Sequence, residues 1–178
     1  MENKLKDSTM EEVAMWLDNY TDLFSDFDPR PYSQRTLSYD FLSELRRLSK
    51  GKYGKIKFSI LMPKDKRDAA KEPQIKKRLH EYFNKHYIHH KEKSSGIFKK
   101  GVLFCIAGIV LMFIATYILF YLGESNLWLS FFIVLLEPAG WFLFWEGLNI
   151  AIFQSKENKP LLDFYKRMHD CKIYFSSY

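Results

Sequence analysis

The stretch GVLFCIAGIVLMFIATYILFYL, residues 101–122, holds no charged side chain. After a connector of Gly123, Glu124, Ser125 and Asn126 comes a second apolar stretch, LWLSFFIVLLEPAGWFLFWEGLNIAIF, residues 127–153. About 20 apolar residues rising about 1.5 Å each cross a hydrocarbon core of about 30 Å, so both stretches predict transmembrane helices. The second differs from a plain anchor in carrying Glu137, Pro138 and Glu146. Pro138 lacks an amide donor and predicts a kink.

Outward from this hairpin, the flanks are basic. Lys91, Lys93, Lys99 and Lys100 precede the first stretch, Lys156, Lys159, Lys166 and Arg167 follow the second, and the connector has neither Lys nor Arg. The positive-inside rule then predicts a multi-pass protein of the cytoplasmic (inner) membrane with both termini cytoplasmic. The amino terminus, MENKLKDSTMEEV, shows no apolar signal-peptide core, so the first span is expected to serve as the targeting signal. The same lysines predict contact with anionic lipid, worth about 1 kcal/mol per residue near the surface.

Helical spacing sets Ser130, Ile133, Glu137, Gly140, Phe144, Gly147 and Ala151 on one stripe of the second span, and Gly101, Cys105, Gly108, Met112 and Ala115 on a stripe of the first. Small residues let helix backbones approach in lipid, so these stripes predict packing surfaces, with Glu137 on one of them. Glu146 falls nine residues further on, about 14 Å along the axis and about half a turn around. A carboxylate in lipid costs several kcal/mol unless protonated, paired or wetted, and two on opposite faces are not both satisfied inside one hairpin. A homo-oligomer of four or more subunits resolves this. The pore or interface candidates are Glu137, Pro138, Gly140, Phe144, Glu146 and Gly147. The plain alternative keeps Glu137 protonated across a helix interface and Glu146 at headgroup level near Lys156. Trp128 reads as an outer interfacial anchor.

With 178 residues and a formal charge of +6, the chain allows the hairpin and one small further domain. Charge is uneven: residues 1–40 hold nine acidic and four basic side chains, whereas residues 41–100 hold eighteen Lys and Arg against six Asp and Glu. Cys105 and Cys171 are the two cysteines, and the proposed topology predicts no disulfide between them.

The extramembrane segments predict a small α+β domain. Residues 1–37 are expected to form an amphipathic helix, on Met10, Val13, Trp16, Leu17 and Tyr20, then an extended segment broken by Pro29 and Pro31. Residues 38–96 carry a helix over 38–48, a strand over 55–61 in which Ile56, Phe58 and Ile60 alternate with polar residues, and a long helix over 73–93 ending at a hinge of Ser94, Ser95 and Gly96. The hairpin occupies 97–154. Residues 155–178 supply a helix and a last strand, CKIYF, able to pair with 55–61. The fold class is thus a membrane α-helical hairpin of two transmembrane helices plus a small cytoplasmic α+β domain built from both chain ends.

Chemistry is sparse. His86 and His90 share a helix face at the spacing of a metal pair, but no third ligand accompanies them, so they are weak metal candidates and no cofactor is expected. A run of histidines beside a membrane also suits pH sensing. No phosphate-cradling Gly loop, zinc-finger cysteine pair or nucleophile elbow is present, so no catalytic residues and no enzyme activity are expected. The basic charge has no nucleic-acid reading motif with it, and no nucleic-acid partner is expected.

Gly140 and Trp141 with Trp145 four positions on, Asp28–Pro29 upstream, a strand ending at Pro63, Tyr82 and Phe83 on a helix, and a basic helix before a final strand together resemble a family of uncharacterised prokaryotic two-span membrane proteins. The chain departs from that pattern at Glu146 and Gly147, where an Arg-Pro pair is common, and at Asn149, where an acid is common. The resemblance implies the architecture and no activity. Two functions follow from the residues: a small ion channel or pore with intramembrane glutamates, or a membrane-anchored adaptor or sensor whose cytoplasmic domain binds a protein or lipid partner. A third, nucleic-acid binding at the membrane, would need salt-dependent binding that survives removal of the hairpin.

Overall fold

The structure is a computed structural model that describes residues 11–52, 54–122 and 126–178. Three strands, β1 (Glu11–Trp16), β2 (Ile56–Met62) and β3 (Lys172–Ser177), and four helices, α1 (Tyr39–Ser49), α2 (Glu72–Leu122), α3 (Leu127–Asn149) and α4 (Ser155–His169), make up its regular structure, with short 3-10 turns at Tyr20–Leu23 and Lys64–Lys66. A π turn, Ile150–Gln154, joins α3 to α4. Two compact units result: residues 1–88 with 161–178, and residues 89–160.

The first unit is an α+β domain closed by both chain ends. Its sheet has the order β1-β2-β3, and both pairings are parallel. The terminal strand does pair with β2, in the register Phe58 to Ile173 and Ile60 to Phe175. On the other side Val13 lies opposite Phe58 and Met15 opposite Ile60. These residues form one sheet face and pack on Phe41 and Leu45 of α1, Ile75, Leu79 and Phe83 of α2, and Phe164 and Met168 of α4 in a single core. An order that steps one way across a parallel sheet through right-handed crossovers lays its helices on one face, which accounts for the one-sided cover. Gly51 and Gly54 turn the chain from α1 into β2 at φ of 80° and 108°, values a side chain disfavours.

Two sequence expectations are corrected here. Glu11–Trp16 is a strand of the domain, not an amphipathic helix in a separate segment. Val13, Met15 and Leu17 alternate with Glu12, Ala14 and Trp16, and only the first set is buried. Trp16 matched the helical spacing yet belongs to the opposite face, 69% exposed. The hinge at Ser94, Ser95 and Gly96 is also absent, since all three lie within α2. One glycine costs a helix only about 1 kcal/mol, too little to break a long one. Met10 of the expected helix and the connector residues 123–125 lie outside the described residues.

The second unit is a helical hairpin. α2 and the helical run Leu127–His169 are both long and apolar enough to cross a membrane, and in each the most apolar window is only 11% buried within the chain. Exposure on that scale separates them from the core helices of a water-soluble fold, which bury their apolar side chains. Asn126 caps α3, its side chain accepting from the Trp128 amide at 3.1 Å.

Candidate functional site

Glycines build the inside of the hairpin. A Cβ on Gly108 would stand 2.5 Å from the Phe144 amide nitrogen and 2.6 Å from the Gly140 carbonyl oxygen. One on Gly147 would stand 2.5 Å from the Cys105 amide nitrogen and 2.7 Å from the Gly101 carbonyl oxygen. Any side chain there would force the backbones apart, so Gly101 and Gly108 on one helix and Gly140 and Gly147 on the other bring the helices into close contact. Ala115 and Ile133 are buried further along the seam, and the Cys105 thiol donates to the Phe144 carbonyl at 3.6 Å. Both small-residue stripes therefore face each other within one chain.

The seam sorts the candidate residues. Gly140, Phe144 and Gly147 belong to it. Glu137 does not: the inward register of α3 runs Ile133, Leu136, Gly140, Leu143, Gly147 and Ile150, and Leu136 holds the place the heptad spacing gave to Glu137. Glu137 and Pro138 are exposed. Among the described residues Glu137 has no hydrogen-bond or ion-pair partner. It shares its outward stripe with Val134, Trp141 and Trp145, and the two indoles stack with centroids 6.3 Å apart. Pro138 interrupts no helix assignment between Leu127 and Asn149.

Glu146 has a different setting. It is half-buried, and its Oε2 accepts from Asn149 Nδ2 at 3.3 Å. The π turn begins at the next residue. Such turns change the backbone pairing locally and recur at functional positions. Nothing in the apolar pattern of the sequence marks the turn.

Comparison with known protein families, with characterised proteins and with solved structures finds no match. The assignment therefore rests on the geometry of these residues.

Lys91, Lys93, Lys99 and Lys100 are all exposed along α2. His86 and His90 diverge in their surroundings. The His86 ring stacks on Tyr165 at 5.1 Å, whereas His90 Nδ1 lies 3.3 Å from the Asn158 side-chain oxygen and the Asn158 amide donates to the His90 carbonyl at 3.2 Å. Among the described residues no three His, Cys, Asp or Glu side chains gather as a metal would need.

The α+β domain has two further polar features. Asp28 accepts from Arg30 Nε at 2.8 Å, from the Arg30 guanidinium at 2.7 Å and from the Thr36 amide at 2.7 Å, fixing the loop before α1. The Arg30 guanidinium holds the Asp28 carboxyl far below the usual carboxylate range. His80, Glu81, Asn84 and His169 line an open hollow of about 260 Å³. Burial, and then the charge of His169, pushes the His80 imidazole below its ordinary value. Beneath the sheet, burial pushes the Cys171 thiol up to about 12, so it is an inert core residue at neutral pH.

The outer face of the sheet is the largest feature missed. There Glu12 lies opposite Lys57 and Lys57 opposite Lys172, followed by the row Ala14, Ser59 and Tyr174 and the row Trp16, Leu61 and Ser176. Trp16 stacks on Tyr178 with centroids 4.9 Å apart, joining the two ends of the chain. The signal available in the sequence was the period-two alternation of residues 11–17.

Proposed function

We propose that the chain is an integral protein of the cytoplasmic membrane, with both termini cytoplasmic, and that four or more copies assemble around a small ion-conducting path faced by Glu137. The carrying observation is that Glu137 sits outward on a bilayer-length helix, without a polar partner among the described residues, while the glycine stripe is already used within the chain. In hydrocarbon that carboxyl would cost several kcal/mol. Further copies supply what one hairpin lacks, namely neighbouring polar groups and water inside a ring. The stacked Trp141 and Trp145 would border the same path. Glu146, with Asn149 at the start of the π turn, would sit near its cytoplasmic end. Lys91, Lys93, Lys99 and Lys100 would meet anionic headgroups. No catalytic residue is assigned.

The test is cation flux into proteoliposomes of purified protein. Glu137→Gln is expected to alter ion preference or pH dependence of the flux, and Glu146→Gln to alter it less. A flux unchanged by Glu137→Gln removes Glu137 from the path, and no flux from an assembled ring removes the path itself.

A second reading, the membrane-anchored adaptor, is favoured by one feature: the outer face of the sheet carries exposed Trp16, Tyr174 and Tyr178, and no described helix lies over it. Copurification of a partner through the α+β domain, without flux, would select it.

A further inference from the structure

Parallel sheets are almost always covered on both faces. Among the described residues the sheet of this chain is covered on one, and its other face is chemically divided. Toward the strand carboxyl ends lie three rings: Trp16 is 69% exposed, Tyr178 56% and Tyr174 42%. Toward the amino ends Lys57 and Lys172 occupy one row, and Lys55 continues the alternation of β2, exposed just before it. Glu12 is the one carboxylate in the paired rows, and it is engaged, accepting from the Ser59 hydroxyl at 2.5 Å and pairing with Lys57 at 3.1 Å, while exposed Asp170, two residues before Lys172, lies 2.8 Å from His169 Nδ1. Lys57 also stands over the Tyr174 ring, 5.5 Å from its centroid.

Charge narrows what can cover this face. A second copy laid face to face with its strands running the same way would oppose lysine with lysine, which is costly, and one turned end for end would set the lysines on rings without supplying an anion. An apolar partner would strip water from the ammonium groups without replacing it. A polyanion satisfies the lysines, and the aromatic rows select among polyanions. Exposed indole and phenol rings beside lysines form the stacking platform and electrostatic track on which single-stranded nucleic acids lie.

We propose that the open sheet face binds single-stranded nucleic acid without base-specific readout, with Trp16 and Tyr174 stacking bases and Lys55, Lys57 and Lys172 contacting phosphates. The absence of a reading motif in the sequence agrees with such a mode, because stacking tolerates any base. The platform exists only in the fold, since Trp16 and Tyr174 come from opposite ends of the chain. The proposal is independent of the ion path, as no residue is shared.

The experiment uses the full chain in mild-detergent micelles and a fluorescent oligouridylate of about 15 nucleotides, read by anisotropy, a length within the span of common single-strand sites. The expected result is binding that weakens steeply with salt and about tenfold with Trp16→Ala or Tyr174→Ala, the size of one lost stacking contact. Lys172→Gln should reduce the slope of log affinity against log salt by about one contact. Both aromatic side chains are exposed, so an unchanged melting curve verifies the fold of each variant. No binding at low salt overturns the proposal. So does binding that ignores Trp16→Ala and Tyr174→Ala but disappears when Lys91, Lys93, Lys99 and Lys100 are changed together to Gln. Preference for a polyglutamate peptide or for anionic vesicles, with oligouridylate unable to compete, assigns the face to another partner and also overturns it.

Discussion

In the α+β domain the tightest packing is made by large side chains, Phe58, Phe83, Ile60, Met62 and Met168, each fully buried, whereas in the hairpin it is made by glycines that let two backbones meet. The first arrangement suits water, where every apolar side chain removed from solvent contributes about 1.5–3 kcal/mol. The second suits lipid, where exchanging acyl chain for side chain yields little and close backbone contact becomes the main source of attraction. The same contrast governs polar groups. Glu72 is buried in the domain with Arg67 on its Oε1 at 2.8 Å, whereas Glu137 in the hairpin has no hydrogen-bond or ion-pair partner among the described residues. A carboxylate satisfied in one region and unsatisfied in the other is what directs attention to further copies of the hairpin.

The contrast can be broken most forcefully from the domain side. Phe58→Ala empties the centre of the sheet core, between Val13 and Ile173, and is expected to destabilise the domain by about 3–5 kcal/mol. Denaturant unfolding followed by the near-ultraviolet signal measures this. If the two regions are held separately, the mass of the assembled protein in detergent should not change. A loss of assembly would mean that the domain core also maintains the hairpin.

From the hairpin side, Gly108→Ala places a methyl carbon against backbone atoms that have no rotamer to yield, at a cost of about 1–3 kcal/mol. It should shift the hairpin's thermal transition in micelles while leaving the melting of the domain in place. Gly96→Ala is the control: a Cβ there meets nothing within 4 Å, and removing a helix-interior glycine should stabilise by about 0.5–1 kcal/mol. Equal effects at the two glycines would deny the seam its role.

The smallest expected effect concerns pH. His80 titrates below its ordinary value in the folded domain, because burial, and next the charge on His169, disfavour its cation. The unfolded chain then binds more protons as pH falls, so the stabilisation is complete above the ordinary histidine value of about 6.5 and is lost progressively below it. The melting midpoint should drop between about pH 7.5 and pH 5, and His80→Gln should flatten that part of the profile. A midpoint that rises on acidification would contradict the assignment. Asp28, held low by Arg30, acts with the same sign only below about pH 4.

Local patterns carried much of this architecture. The apolar lengths of the two stretches, the alternation of Ile56, Phe58 and Ile60, and the apolar spacing of α1 are properties of consecutive residues and were legible. So were the glycine stripes, although composition alone did not say whether they close one hairpin or join two. That distinction turns on a single step of register, Leu136 in place of Glu137, because steps of three and of four both fit a helix of 3.6 residues per turn and the sequence does not say which comes first. The strand β1 was misread because Trp16 and Tyr20 supply a helical period that belongs to two different faces, and a parallel edge strand has no turn beside it to mark its partner. The open sheet face was legible only in part: the pairing of the last strand with 55–61 was expected from their strand patterns, whereas the place of residues 12–16 beside them was not.

The central claim is that the outward face of α3 is completed by other copies of the chain. Native mass spectrometry of the purified protein released from mild detergent tests it most directly. The account predicts a discrete complex of four or more chains, enough helices to enclose Glu137 and a wetted path. A monomer or dimer would leave too few helices to close a ring, contradict the ion-path reading and move the function to the α+β domain.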